Sequence, residues 1–343
     1  MTREDRESSF SGGLGPEMYE LGLRGVYADE EQEGGLLDDV RAQGENAFAS
    51  GAVLRYGIED GGRGKLILLT EAMVKQYPGC IPGGAQQRGD CVSWAGRTAL
   101  AASYAQECVT KTPDPVTGKV ESFPAVSDEG RKWGVFSSEV FYWHRRHGGD
   151  GWNGAAFARV AIKEAGLVVR ADYPEARINL ETYSASLAGK WGRTPPDGAV
   201  ADLCRTHLAR TATVVKTYEE LRDIIAAGYG VLTTGSEAWQ RTRDPWGRCA
   251  RSAGSWAHAI AACGVDDRPE TVRQWGCGLV LLVNSWNEYM TGPRGVWGTS
   301  QEIPPGSFWT RWTDMSKRYM IALSDLHGWA NKGLKDWGAR GVT

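Results

Sequence analysis

The chain has 343 residues, 39 Lys and Arg against 42 Asp and Glu, a formal net charge of −3 and 41% hydrophobic residues. That near-balance leaves no basic footprint for nucleic acid or an anionic membrane, so neither is expected as a partner. No stretch approaches the roughly 18 consecutive apolar residues of a membrane helix, and Met1 to Glu17 lacks the apolar core of a secretory signal. Glycine, at 45 residues, has no fixed period, which excludes a collagen-like chain. Fifteen tryptophans call for a packed interior or a binding surface. The seven cysteines (Cys80, Cys91, Cys108, Cys204, Cys249, Cys263 and Cys277) form no CxxC pair. Free thiols in a reducing, intracellular compartment, and no metal site, are expected.

Residues 1 to about 50 are acidic and Gly-rich, as at Asp29-Glu30-Glu31, and read as an extended arm. A turn at Gly61-Gly62 and a strand at Leu66 to Leu69 follow, so residues 1–77 are expected to form an N-terminal extension. Cys91 to Gln106, rich in small residues, predicts a close-packed helix with Asp90 as N-cap. Further helices are predicted over Phe136 to Arg146, over Ala155 to Ala165 with Gly166 ending it, and over Tyr218 to Ala227 before Gly228. Strands are predicted over Val231 to Thr234, Ala257 to Val265, Leu279 to Val283 and Tyr319 to Leu323. Trp309 and Trp312, three apart, suggest the core face of a short helix. Helices first and strands later predict an α+β fold, a helical lobe against a twisted sheet.

The chemistry-bearing residues are few. His258 sits in the small-residue strand Ala257-His258-Ala259-Ile260, where an imidazole must find partners to be buried. Asn284, in Asn284-Ser285-Trp286, ends another strand, and its amide oxygen can hold one ring nitrogen and leave the other for a nucleophile. Cys91 follows Gly89-Asp90 at a helix start, where unpaired N–H groups and the helix dipole favour thiolate. His144 and His147 at a basic helix end are expected in solvent, His207 and His327 have no partner motif, and Asp266-Asp267 reads as a turn. Gly61 to Lys65 lacks the Ser or Thr of a phosphate-binding loop.

These pieces occur in the order of the papain-like (C1-type) cysteine peptidase family, which the chain resembles from about residue 78 to 325. The similarity rests on Gln…Gly89-Asp90-Cys91, Ser137-Ser138-Glu139, Gly151-Trp152-Asn153-Gly154-Ala155, Tyr173-Pro174, His258-Ala259-Ile260 and Asn284-Ser285-Trp286. The resemblance implies a two-lobe papain-like fold and hydrolysis of a polypeptide through a thioester, with no cofactor. It assigns Cys91, His258 and Asn284 to catalysis, Gln86 or Gln87 to the oxyanion hole, Trp286 to shielding, and Gly154 and Ala155 to the substrate backbone.

Three departures bear on this. The family's glutamine position, six before the cysteine, is Ala85 here; counting from Ser93 instead reaches Gln87 and would make a serine the nucleophile. That register is set aside because it puts Arg97 on the buried face of the helix. The family's disulfide beside the nucleophile is missing, with Trp152 on one side, so packing is expected to replace it. The arm shows no long charged propeptide helix, and a Trp-containing tail, 326–343, follows the domain. These extensions motivate an alternative: a catalytically silent papain-like component of a larger assembly, such as a virus particle, bound through the arm or tail. Acyl transfer would use the same residues.

Overall fold

A computed structural model describes residues 60–114, 117–145, 150–194 and 198–324. The acidic arm, His147, His327, Trp329 and Trp337 lie outside these residues. Strand β1 (Leu66–Leu68) and helix α1 (Thr70–Gln76) lead into the long helix α2 (Cys91–Thr110). Helices α3 (Asp128–Lys132), α4 (Glu139–Tyr142) and α5 (Gly154–Lys163) follow, then the hairpin β2 (Asp172–Tyr173) and β3 (Ile178–Asn179), and helices α6 (Ala185–Arg193) and α7 (Gly198–Cys204). Next come β4 (Ala212–Val215), α8 (Tyr218–Ala226), β5 (Val231–Trp239) and β6 (Arg251–Asp266). The chain then forms α9 (Pro269–Trp275), β7 (Leu279–Val283), β8 (Ser307–Arg311), α10 (Trp312–Met315) and β9 (Tyr319–Leu323).

The main sheet runs β4-β9-β5-β6-β7-β8, with antiparallel pairing throughout. Strand β1 joins it at the far end of β6, Leu66 opposite Asp266 and Leu68 opposite Gly264. Helices from the first half of the chain therefore pack on a sheet drawn mostly from the second, the expected α+β arrangement. Strand β1 and helix α1, assigned by sequence to the extension, are built into this same body.

Small residues set how closely α2 approaches the sheet. A Cβ on Gly230, just before β5, would lie 2.4 Å from the Ala99 carbonyl oxygen, and one on Gly96 would enter the Phe157 ring at 2.2 Å. Neither position admits a side chain without moving the helix. Helix α8 starts on a capping box, with Thr217 and Glu220 each accepting from the other's backbone N–H.

Local expectations needed correction in places. The predicted helix over Phe136 to Arg146 contracts to α4 plus a 3-10 turn at Trp143–Arg145, because Phe136 bridges to Val169. Helix α5 is capped at its start by Asn153, whose oxygen accepts from Ala156 N–H (3.0 Å), and its C-cap is Glu164, two residues before Gly166. Trp309 lies buried on strand β8, not on a helix. Asp266 closes β6 rather than a turn, buried against the Arg268 guanidinium. His144 is half-buried, its Nδ1 3.1 Å from Glu164 Oε2 and its ring stacked on Trp143. None of the seven cysteines is joined in a disulfide. Among the described residues no helix is long and apolar enough to cross a membrane, and no His, Cys, Asp and Glu group could hold a metal.

Candidate active site

Helix α2 begins on Cys91, so the thiol sits in the first turn, where backbone N–H groups lack intrahelical acceptors. The helix packs against β6, which carries His258 opposite Gly235 of β5. Strand β7 ends at Val283, and the chain then places Asn284 so that its Oδ1 lies 2.8 Å from His258 Nε2. An amide oxygen only accepts, so Nε2 carries the hydrogen and the neutral ring has its lone pair on Nδ1. Trp286 stacks on the imidazole (centroids 4.1 Å apart, planes 19° apart), and Trp256 meets Trp286 at 4.9 Å. The bond between His258 and Asn284 is thereby kept from water. Cys91 and His258 are wholly buried and Asn284 nearly so.

Burial pushes the His258 imidazole down to about 3; the Asn284 bond opposes this, and the Arg318 guanidinium adds to it. Arg318 Nη2 donates to the His258 carbonyl (2.5 Å), its Nε to Thr233 Oγ1 (3.0 Å), and it pairs with buried Glu237 at 3.4 Å. The ring is therefore neutral unless an anion stands beside it. With a folded value below the ordinary 6.5, its contribution to stability is whole above pH 6.5 and fades as the pH falls toward 3. In Cys91→Ala, which offers no thiolate, ring-carbon NMR shifts should report a neutral His258 from pH 5 to 8; an imidazolium at pH 6 contradicts this account.

The loop before Cys91 is tied to both neighbours. Gln86 N–H donates to the Ser285 carbonyl (2.7 Å), the Ser285 hydroxyl donates to Gln86 Oε1, and Gln86 Nε2 donates to the Arg88 carbonyl (2.9 Å). Ala85 bridges to Trp286 alongside. Gln87 is half-buried and has no such tether. On the other side Gly151 N–H donates to the Gly89 carbonyl (2.9 Å), and Asp150 accepts from Arg88 Nε (2.8 Å) and Tyr142 O–H (2.9 Å). Where packing alone was expected, an ion pair and a backbone bond join Trp152, which is buried against Phe157 (5.6 Å).

Asp90 holds the N-cap position without capping; its Oδ2 accepts from Tyr183 O–H (2.7 Å), and its Oδ1 is buried without a partner. Burial lifts this carboxyl to about 7, against the lowering pull of Tyr183 and Arg88. Its folded value stands above the ordinary 3.8, so stability is whole below that pH and declines as the pH rises through about 7. Asp90→Asn should therefore melt above the wild type at pH 8, and by less at pH 5. Equal thermal midpoints at pH 8 would refute it.

Gly154 and Ala155 form the first turn of α5 and are both buried. One sequence reading fails here. Arg97 is wholly buried in the register adopted, its Nη1 donating to the Pro82 (2.7 Å) and Gly134 (2.8 Å) carbonyls. The reason for setting Ser93 aside is thus void. Ser93 Oγ is buried with no hydrogen-bond partner. Sequence reasoning missed Ser285 and Arg318; only Ser285 had a signal, its place next to Asn284.

No family model matches the sequence, and no curated protein matches it. Among solved structures, it is similar to xylellain, a cysteine protease from Xylella fastidiosa, at 14% identity and TM-score 0.46, over 76% of this chain and 85% of that one. It is similar to the Amb a 11 cysteine protease of ragweed pollen in its proform, at 14% and 0.42, over 76% and 66%. The cysteine protease and lectin-like domains of Cwp84 from Clostridium difficile give 16% and 0.43, over 76% and 52%.

Proposed function

We propose that the chain is a cysteine peptidase that hydrolyses peptide bonds through Cys91, His258 and Asn284. The observation that carries this reading is the 2.8 Å bond from His258 Nε2 to Asn284 under the Trp286 ring, which leaves Nδ1 as the basic nitrogen. The Cys91 proton passes to Nδ1, and the thiolate attacks the peptide carbonyl. The oxyanion rests on the Cys91 N–H and a glutamine side chain. The C–N bond breaks as the imidazolium gives its proton to the leaving amine. Water, deprotonated by His258, then cleaves the thioester and the thiol is restored.

Gln86 is the better donor of the two glutamines. The Ser285 hydroxyl on Oε1 makes Nε2 the donor end, and an amide nitrogen has a second N–H beyond the one given to Arg88. Gln86→Ala should cost about 10^2 in kcat, Ser285→Ala less, and Gln87→Ala little, measured on a fluorogenic peptide. A larger loss with Gln87→Ala would reverse the assignment. The test of the function itself is labelling with a peptide electrophile: wild-type protein that never labels at Cys91 rules it out.

A second reading has one observation in its favour. The complete burial of Cys91 and His258 suits a silent component of a larger assembly. Failure to label in the intact protein is the result that reading expects.

A further inference from the structure

Of the many tryptophans, Trp246 is the only one among the described residues that stands exposed, at 39%. It meets Trp297 edge to face, centroids 4.7 Å apart at 83°, and Trp297 leans on Trp275 at 5.5 Å. A cavity of about 800 Å³ opens here, sharing no residue with the candidate active site. The volume falls in the range of small-molecule sites.

The walls are held in place before any ligand arrives. Arg268 donates through Nε and Nη2 to the two oxygens of Asp266 (2.8 and 2.7 Å) and through Nη2 to the Trp297 carbonyl (2.6 Å). The buried ion pair thus pins the segment that carries the ring. Glu270, about half exposed, lies 3.7 Å from Arg268, and Thr299 and Ser300 complete the rim.

This mixture selects a chemistry. An apolar side chain would need apolar walls, and a phosphate would need surplus positive charge. Here Asp266 already neutralises Arg268, and Glu270 offsets Arg273 on the same rim. A sugar ring suits both halves: its C–H face carries partial positive charge and rests on the negative face of an indole. Its hydroxyls each donate and accept, which carboxylate, guanidinium and hydroxyl groups can answer together. We propose that the pocket lined by Trp246 and Trp297 is a saccharide-binding subsite.

The test is titration calorimetry of the full chain with hexamers of β-1,4-linked N-acetylglucosamine, β-1,4-linked glucose and α-1,4-linked glucose, with decaproline alongside. At least one sugar should bind, Trp246→Ala should weaken it about tenfold or more, and Glu270→Gln should also weaken it. Electrophile labelling of Cys91 should be the same in both variants and the wild type. The proposal is overturned if no sugar binds, if binding survives both substitutions, or if decaproline binds in place of the sugars.

Discussion

Replacing Cys91 with alanine should lower peptide turnover by on the order of 10^6, the cost of losing a nucleophile that works as a unit with its base. Labelling should vanish with it. The paired variant is Ser93→Ala, two residues on in the same turn of α2. Its hydroxyl has no partner, so its loss should leave both turnover and labelling near wild type. A Ser93→Ala protein without activity, beside an active Cys91→Ala protein, would move the nucleophile to the serine. The comparison is clean because both side chains are small and buried, and neither change opens a large cavity.

The second large effect is on stability. Glu139 and Arg170 pair at 3.1 Å with neither side chain exposed. Glu139 also accepts from the Ser137 hydroxyl (2.7 Å) and Ser184 N–H (3.0 Å), while Arg170 donates to the Trp133 (3.1 Å) and Leu180 (3.2 Å) carbonyls. Glu139→Ala strands a guanidinium charge in the interior, and the expected loss is about 3–5 kcal/mol. The double change Glu139→Leu with Arg170→Met should recover much of it, since a buried pair often contributes little over well-packed hydrocarbon. Burial raises the Glu139 carboxyl, but Arg170 and Ser137 outweigh it and hold the group below its usual 4.5. Its share of stability is therefore present above pH 4.5 and lost as the pH falls through the lower folded value. Urea melts at pH 7 read the loss directly; a Glu139→Ala midpoint equal to wild type would show that the pair is idle.

The parts of the fold legible in the sequence are those with local signals. The Gly228 stop announces α8, small residues announce α2, and the apolar runs of β7 and β9 announce strands. The pairing of His258 with Asn284 followed from residue types at strand positions. What escaped depends on distant partners. Arg97 looks like a surface residue until carbonyls from two loops converge on it. The start of β6, from Arg251 to Ser255, is largely exposed and lacks the alternation that marks a strand. In β8, Phe308 and Trp309 are both buried, so spacing alone could not separate strand from helix. Gln86 and Ser285 meet across 199 positions, a contact no window of sequence reveals.

That last separation also governs when the site can exist. During synthesis α2 and its thiol leave the ribosome long before β7 and the Asn284-Ser285-Trp286 segment are made. At roughly 5–20 residues per second the delay is on the order of ten to forty seconds. Throughout that interval the nascent chain has a cysteine but neither the imidazole's amide anchor nor the clasp on Gln86. The proposed constellation is thus complete only once Asn284 and Ser285 have been made, and a ribosome that stalls earlier releases a chain without it.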